Sequence, residues 1–133
     1  MIYFLIINIK IMKPKSKQPR KQRKYRYDAP LHRRHKMVAG HLSKELKGKY
    51  NRRSLPIRKG DRVKVVRGQY EGIEGEVLRV DLRKYRIYME GVSVKKTDGT
   101  DVERPIDPSN VMITDLFLED KERREVLEKK LEE

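Results

Sequence analysis

Cysteine and tryptophan are both absent from this chain of 133 residues, and phenylalanine occurs only twice. Without cysteine there is no disulfide scaffold, no thiolate metal site and no cysteine nucleophile, a usage that fits a reducing cytoplasm. Two phenylalanines and seven scattered tyrosines also provide poorly for an aromatic groove that reads proline-rich or methylated tails. No serine sits in a nucleophile elbow, no phosphate loop with Gly-Lys-Ser/Thr occurs, and no carboxylate pair stands in a credible cleft. Nothing therefore argues for an enzyme, a cofactor or a small-molecule substrate. The one apolar run, MIYFLIINIKI at residues 1–11, is interrupted by Asn8 and Lys10. It is shorter than the ~20 residues a spanning helix takes, and it lacks the basic lead and small-residue cleavage site of a secretory signal. An N-terminal anchor is the alternative reading. We expect no membrane insertion, and a native start at Met12 that leaves residues 1–11 as an extension.

Charge is what the chain has in excess. Charged residues make up 41% and the hydrophobic set 36%, too little apolar material to bury the whole chain in one core. Residues 13–53 hold sixteen Lys and Arg against Asp28 and Glu45, so this segment carries the whole net charge of +14. Everything else sums to zero.

The rest of the chain is organised around residues 61–92. In 62–67, Val63 and Val65 alternate with Arg62, Lys64 and Arg67, the period of a half-buried strand. Gly68, Gly72 and Gly75 then mark a loop that needs positive φ or close approach. A second strand is expected from Glu76 to about Leu82 and a third over 85–90. Val77 and Val80 break alternation, which implies a bulge or sharp bend, and small closed barrels need such bends. A plain hairpin in a larger sheet would share these features. The recurrence of short strands favours a small barrel.

On either side of this centre the signals are more local. Residues 13–26 are almost free of apolar side chains and should be disordered alone, folding along a polyanion. Asp28-Ala29-Pro30 reads as a helix start, Gly40 as its break, and Ser43 as the cap of a second short helix anchored by Leu42 and Leu46. Residues 51–59 read as an extended linker, with Pro56 forbidding helix. Asp98-Gly99 signals a hairpin between 92–96 and 102–105, and residues 110–114 supply a closing strand. From about Glu119 a charged helix follows whose incomplete stripe (Val126, Leu127, Leu131, with Leu118 before it) predicts weak docking or projection.

The run G-x-x-x-G-x-x-G-x-V (Gly68, Gly72, Gly75, Val77) resembles the KOW motif of SH3-like RNA-binding barrels. DAPLHRRHKM, LSKELKGKY, PIRKGD, KKTDGT and PSNVMITD, in this order, extend the likeness over nearly all of residues 13–133. Together they resemble the archaeal and eukaryotic form of the large-subunit ribosomal protein of the universal L-twenty-four family. The fold so implied is mostly β: a small SH3-like (KOW) barrel of about five strands, with an N-terminal basic arm, short helices and a C-terminal helix. The expected division is 1–11 extension, 12–53 basic arm and short helices, 54–114 barrel and 115–133 charged helix. The resemblance implies a cytoplasmic, structural constituent of the ribosome. It would bind the 5′ region of large-subunit (23S-type) rRNA, aid early assembly, meet neighbouring large-subunit proteins and lie near the polypeptide exit tunnel. A KOW-type transcription elongation module, binding nascent RNA and polymerase, is the alternative, but it usually pairs the barrel with a separate α/β domain for which this chain has no room.

Candidate RNA contacts follow. In the arm they are Lys13, Lys15, Lys17, Arg20, Lys21, Arg23, Lys24 and Arg26, which neutralise phosphates. Tyr25 and Tyr27 interleave with these charges and invite base stacking, or pack on the protein. His32, Arg33, Arg34, His35 and Lys36 form a basic surface beside the arm, and Arg52 and Arg53 continue the charge. The histidines lack a third close ligand and have cationic neighbours, which argues against a metal. From the family resemblance, the glycine loop contributes Arg67, Gly68, Gln69, Tyr70 and Gly72. Lys95 and Lys96 lead into the hairpin. Mass spectrometry of the native protein checks the expected start at Met12, since peptides spanning 3–11 at full abundance would refute it.

Overall fold

The computed structural model describes residues 14–132. The 1–11 extension, the expected start at Met12 and the candidate Lys13 lie outside the described residues. Along the chain come α1 (Pro19–Asp28), α2 (Leu31–Met37), β1 (Ala39–Leu42), α3 (Lys44–Tyr50), β2 (Ser54–Pro56), β3 (Arg62–Val65), β4 (Glu74–Asp81) and β5 (Arg86–Met89). There follow β6 (Ser93–Lys95), β7 (Asp101–Glu103), a 3-10 turn at Pro108–Asn110, β8 (Val111–Asp115) and α4 (Lys121–Glu132). Six strands form one sheet in the order β2-β1-β8-β3-β4-β5, and β6-β7 make a separate ribbon. The fold is small, mostly β and barrel-like. All pairings are antiparallel except β1 with β8.

The alternation read in β3 holds: Val63 and Val65 are buried and Arg62 is exposed. The bend expected near Val77 and Val80 is a register shift between Val77 and Arg79, which lets both valines face inward from a curved strand. The three glycines serve different ends. Gly68 and Gly72 adopt positive φ of 101° and 89°. Gly75 belongs to β4 and not to the loop; an added Cβ there would stand 2.5 Å from the Glu90 carbonyl oxygen. The β6-β7 ribbon turns at Asp98-Gly99 as expected, with the Asp98 carboxylate accepting from the Thr100 N–H.

Four local expectations are corrected. Residues 19–28 form helix α1, where disorder was expected. Arg, Lys and Gln favour helix, and Pro19 suits its first turn. The end of that helix is held on the barrel, because the Tyr85 hydroxyl donates to the Arg26 carbonyl oxygen. Asp28 closes α1 and does not cap the next helix, whose N-cap is Pro30; Pro30 holds Ala29 extended, which separates the two helices. Gly40 lies in β1, a strand from the 12–53 segment that sits between β2 and β8. Ser43 does cap α3, its hydroxyl accepting from the Leu46 N–H.

The fourth correction concerns α4, which docks firmly. Leu127 is fully buried, worth about 1.5–3 kcal/mol against exposure. Arg123, only 6% exposed, meets Asp61, which is 0% exposed. Two guanidinium nitrogens donate to the two carboxylate oxygens at 2.6 and 2.7 Å. Arg123 also donates to the Phe117 and Pro56 carbonyls, and Asp61 accepts from the N–H groups of Arg58 and Phe117. A buried pair is tolerable when the carboxylate oxygens and both terminal guanidinium nitrogens are satisfied in this way. Breaking it by Asp61→Ala leaves an uncompensated cation, so we expect a loss of about 3–5 kcal/mol, read as a lower urea midpoint. A loss below about 1 kcal/mol would show that the pair does not hold α4.

Candidate nucleic-acid interface

Helical spacing places Arg20, Arg23, Lys24 and Tyr27 on one side of α1. All four are exposed, as are Lys15, Lys17, Lys21 and Arg26. Among the described residues none of these cations pairs with a carboxylate. Arg26 instead lies over the Tyr85 ring, 4.3 Å from its centroid. Tyr25 and Tyr27 part company. Tyr25 is half-buried in a cleft of about 610 Å³ with Gln22, Met37 and Pro108, whereas Tyr27 points to solvent.

Arg34 faces inward and fixes the corner between α1 and α2. It donates to the carbonyls of Tyr27 at 2.5 Å, Ala29 at 2.7 Å and Arg83 at 2.9 Å. That last bond ties the corner to the β4–β5 turn. There Asp81 accepts from the N–H groups of Arg83 and Lys84, and Tyr85 takes a φ of 54°. Its ring thereby reaches both Arg26 and Arg34. Sequence reasoning missed Arg83 and Tyr85, because their relation to the arm exists only once the turn stands against it.

A cleft of about 720 Å³ at this corner and the 610 Å³ cleft share Arg23, Arg26 and Tyr85. The second cleft meets, at Asp107, a third of about 440 Å³ lined by Arg67, Gly68, Gln69 and Tyr70 of the glycine loop. Arg86 and Arg104, also absent from the expected set, line the third. The arm and the glycine loop therefore border one track. Burial alone would raise the Asp107 carboxyl, but bonds from the Ser109 N–H and hydroxyl and from Arg86 together outweigh it and hold the group ionised below its ordinary range. Its charge is spent on Arg86.

Other expected residues lie apart from the track's lining. Gly72 sits at the exposed end of the glycine loop, its N–H bonded to the Val65 carbonyl. His32, Arg33 and Lys36 are exposed on α2, and Lys36 borders a separate cleft between β2 and α4. Arg52 lines that same cleft and donates to the Val126 carbonyl of α4 at 3.0 Å, so it is turned to the protein. Arg53 is exposed just before β2, and Lys95 and Lys96 are exposed on the ribbon. Among the described residues no helix is long and apolar enough to cross a membrane.

A profile describing ribosomal proteins, L26 in eukaryotes and the L24 type in archaea, matches residues 16–130. The chain belongs to this family. It is a family of ribosomal proteins, structural and not enzymatic. A large ribosomal subunit protein uL24 of Korarchaeum cryptofilum is 56% identical over 119 residues, covering 90% of this chain and 91% of the relative. The uL24 of Methanosphaera stadtmanae is 51% identical over 116 residues, 87% of this chain and 99% of the relative. That of Methanospirillum hungatei is 62% identical over 112 residues, 84% and 93% of the two chains. In this family member the match begins before α1 and runs into the last turn of α4, so arm, sheet and closing helix are all parts of the family fold.

His35 is half-buried, and burial, followed by the positive charges of Arg58 and Arg123, lowers its pKa from the ordinary 6.5. With the folded value depressed, the unfolded chain takes up the proton first. The stability tied to a neutral His35 is thus present above about pH 6.5 and lost as pH falls toward the folded value. Between about pH 7 and 5 the urea midpoint should fall for the native protein and change less for His35→Gln. Equal slopes would remove His35 from the account.

Proposed function

We propose that this chain is a structural constituent of the large subunit of the cytoplasmic ribosome. It binds large-subunit rRNA along the track from α1 to the glycine loop. The finer reading follows the family resemblance: binding in the 5′ region of the large rRNA, a role early in assembly, a place near the polypeptide exit tunnel, and contacts with neighbouring large-subunit proteins. Residues 12–53 act as arm and short helices, 54–114 as the barrel, and 115–133 as the helix that braces it.

One observation carries this reading. Unpaired cations on α1 and the glycine loop border the same track, on a protein whose net charge of +14 lies within residues 13–53. Such a surface acts by neutralising phosphates and fitting shape, because base edges in an A-form groove are hard to reach. Arg67, Gly68, Gln69 and Tyr70 serve as the contact from the barrel. His32, Arg33 and Lys36 extend the contact from α2, and Lys95 and Lys96 offer a second one from the ribbon.

The test is binding to a transcript of the 5′ region of the large rRNA at several salt concentrations. Replacing Lys15, Lys17, Arg20, Lys21 and Lys24 together by Gln should weaken binding strongly and reduce the salt slope by roughly 3.5 to 4.5, since each phosphate contact adds about 0.7–0.9. An unchanged slope would mean that the arm is not the electrostatic contact.

A further inference from the structure

We propose that the corner between α1 and α2 is a pocket for a single unpaired nucleotide, its base stacked on Tyr27 and its flanking phosphates held by Arg23, Arg26 and Arg83. This deepens the RNA-binding reading and rests on it. Tyr27 is 81% exposed, which is costly for a ring with no part in the core. Beside it the 720 Å³ cleft is lined by four arginines (Arg23, Arg26, Arg34 and Arg83) and by no carboxylate. Apart from Tyr27 and Tyr85 the rest of the lining is apolar: Ala29, Pro30 and Leu31, the last 56% exposed.

A site for phosphate alone would need only the cations. A paired helix hides the faces of its bases, so it would leave both the ring and the apolar floor uncovered. An extruded nucleotide uses all three features, because a base has a π-face, an apolar body and charge on either side. The two aromatic rings divide the work. Tyr85 already carries Arg26 at 4.3 Å and Arg34 at 5.3 Å, which leaves Tyr27 as the open platform. Arg34 is a positioning residue: by binding the Tyr27 and Ala29 carbonyls it sets the direction in which Tyr27 is offered.

Two probes of equal length decide the matter: a single-stranded oligoadenylate of about ten nucleotides and an RNA duplex of about ten base pairs, each bound to the full chain at fixed salt. For Tyr27→Ala we expect affinity for the single strand to fall roughly five- to a hundred-fold with an unchanged salt slope, and affinity for the duplex to hold. Tyr27→Phe should retain the native behaviour. Arg20→Gln, on the same helix but outside the cleft, should weaken both probes and reduce both slopes. If Tyr27→Ala spares the single strand, or weakens both probes alike, stacking at this corner is overturned while RNA binding stands. If the unsubstituted protein binds neither probe, the RNA-binding reading falls and takes the pocket with it.

Discussion

The bidentate contact between Asp61 and Arg123 is the constraint on which the rest of the molecule depends. Asp61 stands at the entrance to β3, takes N–H groups from Arg58 before that strand and from Phe117 after β8, and receives the guanidinium of α4. One carboxylate thus joins the chain's second half to its end. Arg58 itself pairs with Asp120 just before α4, and that bond, ahead of any other influence, holds the Asp120 carboxyl below its ordinary range. The C-terminal helix with its mixed charges is therefore a brace across one end of the sheet, anchored by one buried ion pair and Leu127.

A second, looser attachment sits at Tyr85. It joins the basic arm to the β4–β5 turn by one hydrogen bond, two cation–π contacts and the bridge that Arg34 makes to Arg83. None of these buries a residue of α1. The arm is directed by the body without being absorbed into its core, which leaves its cations available to phosphate. A nearly neutral body and a cationic arm remain separable in charge although they are joined in space.

Much of this was legible in the residues. Val63 and Val65 announce β3, the valine pair announces the bulge in β4, Asp98-Gly99 announces the ribbon, and Ser43 announces α3. These are local codes, each read within a few positions. The failures are non-local. An arginine in a charged helix reads as solvated until its partner 62 residues away is known, so α4 looked like a projection. Tyr85 reads as the first residue of a strand until the arm is laid against it. Gly40 reads as a breaker because its pairing with β2 and the proximity of β8 cannot be seen in its neighbours. At the candidate interface, the arm's lysines and arginines are visible by composition, but Arg83, Arg86 and Arg104 join it only through the topology. Arg34 and Arg52 carry the converse lesson, since composition does not show that both donate to carbonyls of their own chain.

The parallel pairing of β1 with β8 sets a condition on manufacture. His41 meets Met112 and Leu42 meets Ile113, so a strand made early waits for the last strand before the sheet can close. At synthesis rates of about 5–20 residues per second that wait lasts roughly four to fourteen seconds. Contacts so distant along the chain are also slow to form. During this interval the positively charged leader has already emerged while the body that will aim it does not yet exist. A newly made copy thus holds its cations on an unaimed segment for that time, open to non-specific attraction by any polyanion nearby.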